Sequence, residues 1–233
     1  MRTGARQLAV FAAVLVSACS LAPPSELTLN NDHRTQTQID RDRYRHPAET
    51  LAFFEIRPDM TVVEIWPGGG WYSAVLAPLL RDRGKLYAAH FPSDSHVAFY
   101  TRSHRAYVEA LAQQPEIYDR VTITELYPPD WPEAAPRESA DAVLTFRNVQ
   151  NWAKSGNSEQ MFQAFYQALK PGGVLGVVEH RAPAGRSFED QIESGYMTED
   201  YVIQQALAAG FVLEAQSEIN ANPLDDRNHP AGV

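Results

Sequence analysis

Cysteine is almost missing from this chain: Cys19 is the only one in 233 residues. No internal disulfide can form, no thiolate nucleophile lies beyond residue 19, and a cysteine-built metal centre is excluded. The fold must hold by packing alone. Positive charge is scarce too, with 20 Lys and Arg against 29 Asp and Glu and a formal net charge of −9. No basic stretch is dense enough to follow a phosphate backbone, which argues against a nucleic-acid partner. Disorder throughout is equally excluded, because 44% hydrophobic and 21% charged residues is ordinary globular composition.

The apolar run near the start, Leu8 to Ala18, falls short of the about 20 residues that a membrane-spanning helix needs. Arg2 and Arg6 precede it and Val16-Ser17-Ala18-Cys19 closes it, which is the pattern of a cleavable export signal. Those last four residues resemble the bacterial lipobox, which implies lipidation of Cys19; plain secretion after cleavage at Ala18 is the alternative. Ser20, where some lipoproteins carry Asp, resembles an outer-membrane destination in Gram-negative bacteria. The expected organisation is a signal peptide over 1–18, a lipidated N-terminus and tether over 19–40, and a single domain over 41–233. The expected location is the periplasm, with membrane contact only through the anchor.

Beyond Pro47 a short helix is predicted over Ala48 to Phe54, and from Thr61 onward short apolar runs alternate with helical patterns. That alternation is the sequence form of successive β-α units and a mostly parallel sheet. Strands are expected at Thr61–Trp66, Lys85–Ala89, Arg120–Thr124, Asp141–Phe146, Val174–Val178 and Phe211–Glu218. Helices are expected at Trp71–Leu80, Ser95–Gln113, around Met161–Leu169 with an Asn157/Gln160 capping box, and from Thr198 to Gly210.

The most informative stretch is Val62-Val63-Glu64-Ile65-Trp66-Pro67-Gly68-Gly69-Gly70-Trp71, a strand, a glycine-rich turn and a helix start. Glycines there let the backbone approach a ligand, and the free amides of the helix start face it. A nucleotide-type cofactor is the natural guest. The spacing departs from the G-x-G-x-x-G pattern of nicotinamide enzymes.

Three further segments narrow the reading: Asp141 to Asn148, Leu169-Lys170-Pro171-Gly172-Gly173-Val174-Leu175, and Ala208-Ala209-Gly210-Phe211. Together with the glycine loop they resemble class I S-adenosylmethionine-dependent methyltransferases. More narrowly, residues 67–72, Phe-Arg-Asn-Val-Gln-Asn-Trp at 146–152, Glu-His-Arg-Ala at 179–182 and Ser-Glu-Ile-Asn-Ala-Asn-Pro at 217–223 are similar to a family of exported predicted methyltransferases. The resemblance implies an α/β Rossmann-like sheet of seven strands, mostly parallel, with helices on both faces and S-adenosylmethionine over the carboxyl ends of the first strands. It implies that Glu64 contacts the methionine end of that cofactor and that Gly68, Gly69 and Gly70 form its loop. Trp66 stands where such enzymes carry a first glycine, and His90 where a ribose-binding acid is usual; Asp94 is a replacement, and Glu125 a candidate for the adenine-contacting acid.

Methyl transfer needs an acceptor held close, water excluded and, for hydroxyl or amine acceptors, a proton removed. His180, after the fifth strand, is the preferred base, Asn148 the residue nearest the expected methyl, and Tyr196 a cover for the acceptor pocket. Arg43, Tyr44 and His46 are candidate lid residues. Trp66, Trp71 and Trp152 are candidates for ring stacking. A metal site from His90, Asp94, His96 and His104 lacks compact ligand spacing, so none is expected. The reading is an envelope methyltransferase acting on a small-molecule acceptor; the rival is an inactive, lipid-anchored binding module that kept the fold.

Overall fold

The computed structural model describes Leu29, residues 32–229 and Val233; the export signal, Cys19 and most of the tether lie outside these residues. Three short helices come first, α1 (Gln36–Ile39), α2 (Asp42–Arg45) and α3 (Pro47–Phe53). Then follow β1 (Thr61–Ile65), α4 (Ser73–Leu80), β2 (Lys85–His90), α5 (Ala98–Ala112), α6 (Pro115–Tyr118) and β3 (Thr122–Glu125). The second half holds β4 (Ala140–Phe146), α7 (Val149–Ser155), α8 (Ser158–Ala168), β5 (Leu169–Val178), α9 (Phe188–Ser194) and α10 (Glu199–Ala209).

The strands pair in parallel in the order β3-β2-β1-β4-β5. β1 is central, and its residues alternate between two apolar layers. Val62, with Leu86, Ala142 and Leu144, packs with Leu51 of α3 and Leu76 of α4. Val63 and Ile65, with Val143, pack with Trp152, Phe162 and Phe165 of α7 and α8. Both faces are thus helix-covered, and each fully buried large apolar side chain contributes roughly 1.5–3 kcal/mol. Because β1 sends its crossover one way to β2 and β4 lies on its other side, the loops after β1 and β4 diverge and leave a crevice at the carboxyl ends.

Where the sequence signals were local, the elements form as expected. Thr198 caps α10 by accepting from the Tyr201 amide, and Gly210 ends it in the left-handed conformation. Three expectations are corrected. Five strands pair among the described residues instead of seven, and Phe211–Glu218 is irregular chain without ladder bonds, because the open cleft separates it from β5. The Asn157/Gln160 capping box does not form: Asn157 is the N-cap of α8 but its side-chain amide has no hydrogen-bond partner among the described residues. Finally, the described part of the expected tether is packed on the domain. His33 Nε2 meets the Ala74 carbonyl at 2.7 Å, and the fully buried Arg34 side chain pairs with Asp42 at 2.6 Å.

Candidate functional site

Glu64 points from β1 toward the α4 side and is buried. Its carboxylate accepts from the Ser73 hydroxyl at 2.6 Å, and that oxygen lies 2.9 Å from the Tyr107 hydroxyl. Desolvation pushes the Glu64 carboxyl up to about 7, with the Ser73 bonds opposing the rise. The loop beyond it is accessible: Gly69 is exposed, and a Cβ placed at Gly68 or Gly69 would meet nothing within 4 Å.

Trp66 breaks the alternation of β1. Strict period two would place its ring on the Glu64 side, but a left-handed φ of 45° swings it into the opposite layer. There the indole is 5% exposed and donates from Nε1 to the Leu126 carbonyl at 2.9 Å. Phe91, Tyr127 and Trp152 surround it with centroids at 4.5, 6.0 and 5.8 Å. The hollow beyond the ends of β1, β2 and β3 is therefore filled by the protein's own ring.

The other residues expected on this side are committed elsewhere. His90 is fully buried; its Nδ1 accepts from the Phe91 amide at 2.8 Å, which leaves the proton on Nε2, 3.4 Å from the Gly68 carbonyl. Burial pushes His90 down to about 4, so the ring is neutral. Asp94 is exposed, and Glu125 accepts from the Ser93 amide at 3.1 Å. Asn148 donates to the Ile65 carbonyl at 3.0 Å and to Thr145 Oγ1 at 3.2 Å, tying β1 to β4. Tyr196 is buried and donates to Asp225 at 2.8 Å; its ring stands 5.7 Å from that of His180, and it does not line the cleft. The expected roles for Asn148 beside a methyl and Tyr196 as a cover thus meet a different geometry, because both polar groups are spent on the fold.

His104 presents Nδ1 to the Phe91 carbonyl at 2.6 Å, and among the described residues no three acids or histidines gather to hold a metal. Trp152 belongs to the core and Trp71 to the N-terminal clamp, where its Nε1 donates to the Gln38 carbonyl at 3.0 Å.

The open part of the crevice lies after β4 and β5. A cleft of about 1730 Å³ runs from these strand ends and α2 down the whole open edge of β5, between it, α10 and the 211–221 segment. His180 lines it, and burial followed by the nearby Arg147 charge lowers its pKa, so the imidazole favours the neutral, proton-accepting form. Arg43, Tyr44 and His46, the lid candidates, are among the residues that line it. Sequence reasoning missed four residues of this cleft. Arg45 and Arg147 line it, Tyr72 stacks on Phe146 with centroids 3.5 Å apart, and Glu179 accepts from the Val149 and His180 amides at 2.8 Å each. Desolvation pushes Glu179 up to about 7. The available signal was positional, since Arg147 and Glu179 directly follow strands whose carboxyl ends face the crevice.

No protein-family model matches the sequence, and no curated protein matches it either. Solved structures do. A SAM-dependent methyltransferase from Aquifex aeolicus superimposes with a TM-score of 0.56 at 15% identity, covering 73% of this chain and 82% of that one. The fold is the Rossmann-like methyltransferase fold. The 4+2 cyclase SpnF follows it with a TM-score of 0.53 at 18% identity, over 80% of this chain and 64% of its own. A possible exported protein from Bordetella parapertussis gives 0.51 at 17% identity, over 74% and 61%. The chain thus spans a little under two thirds of the length of these last two. That a cyclase shares the fold shows why the chemistry has to be argued from the site.

Within a methyltransferase fold the nucleoside of S-adenosylmethionine would lie beyond β1, β2 and β3. The glycine loop and Glu64 suit the methionine end. The adenosine end does not fit the conformation described, because the Trp66 indole stands in the hollow.

Proposed function

We propose that this chain is an S-adenosylmethionine-dependent methyltransferase of the bacterial envelope, acting on a small molecule held in the cleft after β4 and β5, with Trp66 as the gate of the adenosine hollow. The observations that support it are an accessible glycine loop and, two residues beyond it, Tyr72 on the wall of a cleft that a neutral histidine also lines. The cofactor would supply an activated methyl group. The chain's own part is to hold the acceptor in the cleft, to exclude water with the Tyr72–Phe146 wall and to take a proton at His180. Export with lipidation at Cys19 belongs to the same proposal and is tested by fractionation and fatty-acid labelling of a Cys19→Ala variant, which should lose its membrane association.

A second reading is favoured by the buried Trp66 ring: a non-catalytic binding module that uses only the cleft. Titration calorimetry of the full-length protein separates the two. The methyltransferase reading expects S-adenosylhomocysteine to bind weakly to the wild type and at least tenfold more tightly to Trp66→Gly, with the heat lost in Glu64→Ala. No binding to either the wild type or Trp66→Gly would leave only the binding module. Nicotinamide cofactors serve as the negative control.

A further inference from the structure

Arg45 and Arg147 both line the cleft and lie close enough to interact electrostatically, although the chain is acidic overall. Arg45 closes α2, half-buried, with its guanidinium 4.4 Å over the Trp71 ring. Arg147 follows β4 and is exposed in the same cleft. Its backbone is clamped, the N–H donating to the Val178 carbonyl at 2.7 Å and the carbonyl accepting from the Gln150 side-chain Nε2 at 3.0 Å, in a left-handed conformation with φ 60°. Held strain in a non-glycine residue beside a cleft is a recurrent mark of a working position.

Among the described residues, neither guanidinium has a hydrogen bond or a carboxylate partner. The acids nearby are engaged. Glu64 is bonded to Ser73, Glu179 to two backbone amides, and Asp225 to Tyr196. Burial, and then the Arg147 charge, bring Arg45 down to about 10, while burial and the Arg41 charge lower Arg147. Glu64 interacts electrostatically with Arg45 and Glu179 with Arg147, but neither carboxylate comes within salt-bridge distance, so both guanidinium forks stay open to a planar or tetrahedral oxyanion. The stacked Tyr72–Phe146 pair adds an apolar wall on the same cleft.

We infer that Arg45 and Arg147 form an oxyanion subsite for the acceptor, which is a small carboxylate or phosphate ester with a planar apolar body lying against Phe146. This names the substrate class of the proposed activity and rests on that reading for the word acceptor, but its binding test needs no cofactor.

The test is calorimetry of the full-length protein at low salt with benzoate, phenyl phosphate and the neutral benzyl alcohol. Benzoate, phenyl phosphate or both should bind and the alcohol should not; the tighter anion names the head group. Affinity should fall as salt rises. Arg147→Asn, chosen because asparagine tolerates the left-handed backbone, and Arg45→Gln should each weaken anion binding at least tenfold with an unchanged circular dichroism spectrum. Arg57→Gln, an exposed position away from the cleft, should change nothing. Equal binding of benzyl alcohol, or full affinity in both arginine variants, would overturn the subsite. The cofactor's own carboxylate is the competing source of an anion. If S-adenosylhomocysteine displaces benzoate from Trp66→Gly, the arginines serve the cofactor and the acceptor assignment fails; if both bind together, it stands. Anion binding without any cofactor binding would sink methyl transfer and leave this subsite intact.

Discussion

The two halves of the crevice are built to opposite rules. Beyond β1, β2 and β3 the space is dry and full, with Trp66, Phe91, Tyr127 and Trp152 packed ring on ring. Beyond β4 and β5 it opens into a cleft of about 1730 Å³ that continues along the β5 edge and is lined by Arg45 and Arg147. One sheet can therefore keep half of a two-part site while closing the other half. A single residue in an unusual backbone conformation decides which.

The largest effect should come from emptying the closed half. Trp66→Ala is expected to lose about 3–5 kcal/mol in urea unfolding, the usual range for a buried large aromatic. Trp66→Gly should lose about 1 kcal/mol less, because glycine adopts positive φ freely. A loss under about 1 kcal/mol in Trp66→Ala would mean that the ring is not truly packed, and the contrast between the halves would disappear.

Next in size is a pH effect with one carboxyl in each half. Glu64 and Glu179 rise in the folded state from 4.5 to about 7, so each binds its proton more tightly when folded. Their contribution is complete below 4.5 and is lost as pH rises through 7, by roughly 3 kcal/mol each. His90, lowered to about 4, acts oppositely: its contribution is lost as pH falls from 6.5 toward 4. The carboxyl effect is therefore read between pH 6.5 and 7.5, where denaturant midpoints should fall. Glu64→Gln should flatten part of that slope and Glu179→Gln the remainder. An unchanged slope in both variants would refute the assignment.

The smallest effects test the residues that sequence reasoning placed at the site. Asn148→Ala should lose about 1–2 kcal/mol, for two hydrogen bonds that join the strand ends. Tyr196→Phe should lose about 1 kcal/mol or less by thermal unfolding and leave benzoate affinity in the cleft untouched, because its hydroxyl is engaged by Asp225. A marked drop in that affinity would return Tyr196 to the open half.

Much of this architecture was legible from local chemistry. The β-branched run at Thr61–Ile65, the cap at Thr198 and the stop at Gly210 act within a few residues, so their patterns survive in the sequence. Strand pairing does not: Phe211–Glu218 opens on a strand-like apolar run, but only the distance to β5 decides whether a ladder forms. The site divided in the same way. Glu64 and the glycines could be singled out as candidates because the turn announces itself. Arg45 and Arg147 come to one cleft only through the fold, and the flip of Trp66 depends on a torsion angle that the sequence does not display.

The first helices deserve a practical reading. Arg34 and Arg45 both lie on the Trp71 ring, at 4.9 and 4.4 Å. Trimming the chain to Pro47, a tempting boundary for a soluble fragment, would strip away both arginines, bare an indole and remove one wall of the cleft. Such a fragment could fold well and still report nothing about the whole molecule's chemistry, so expression designs should start ahead of His33.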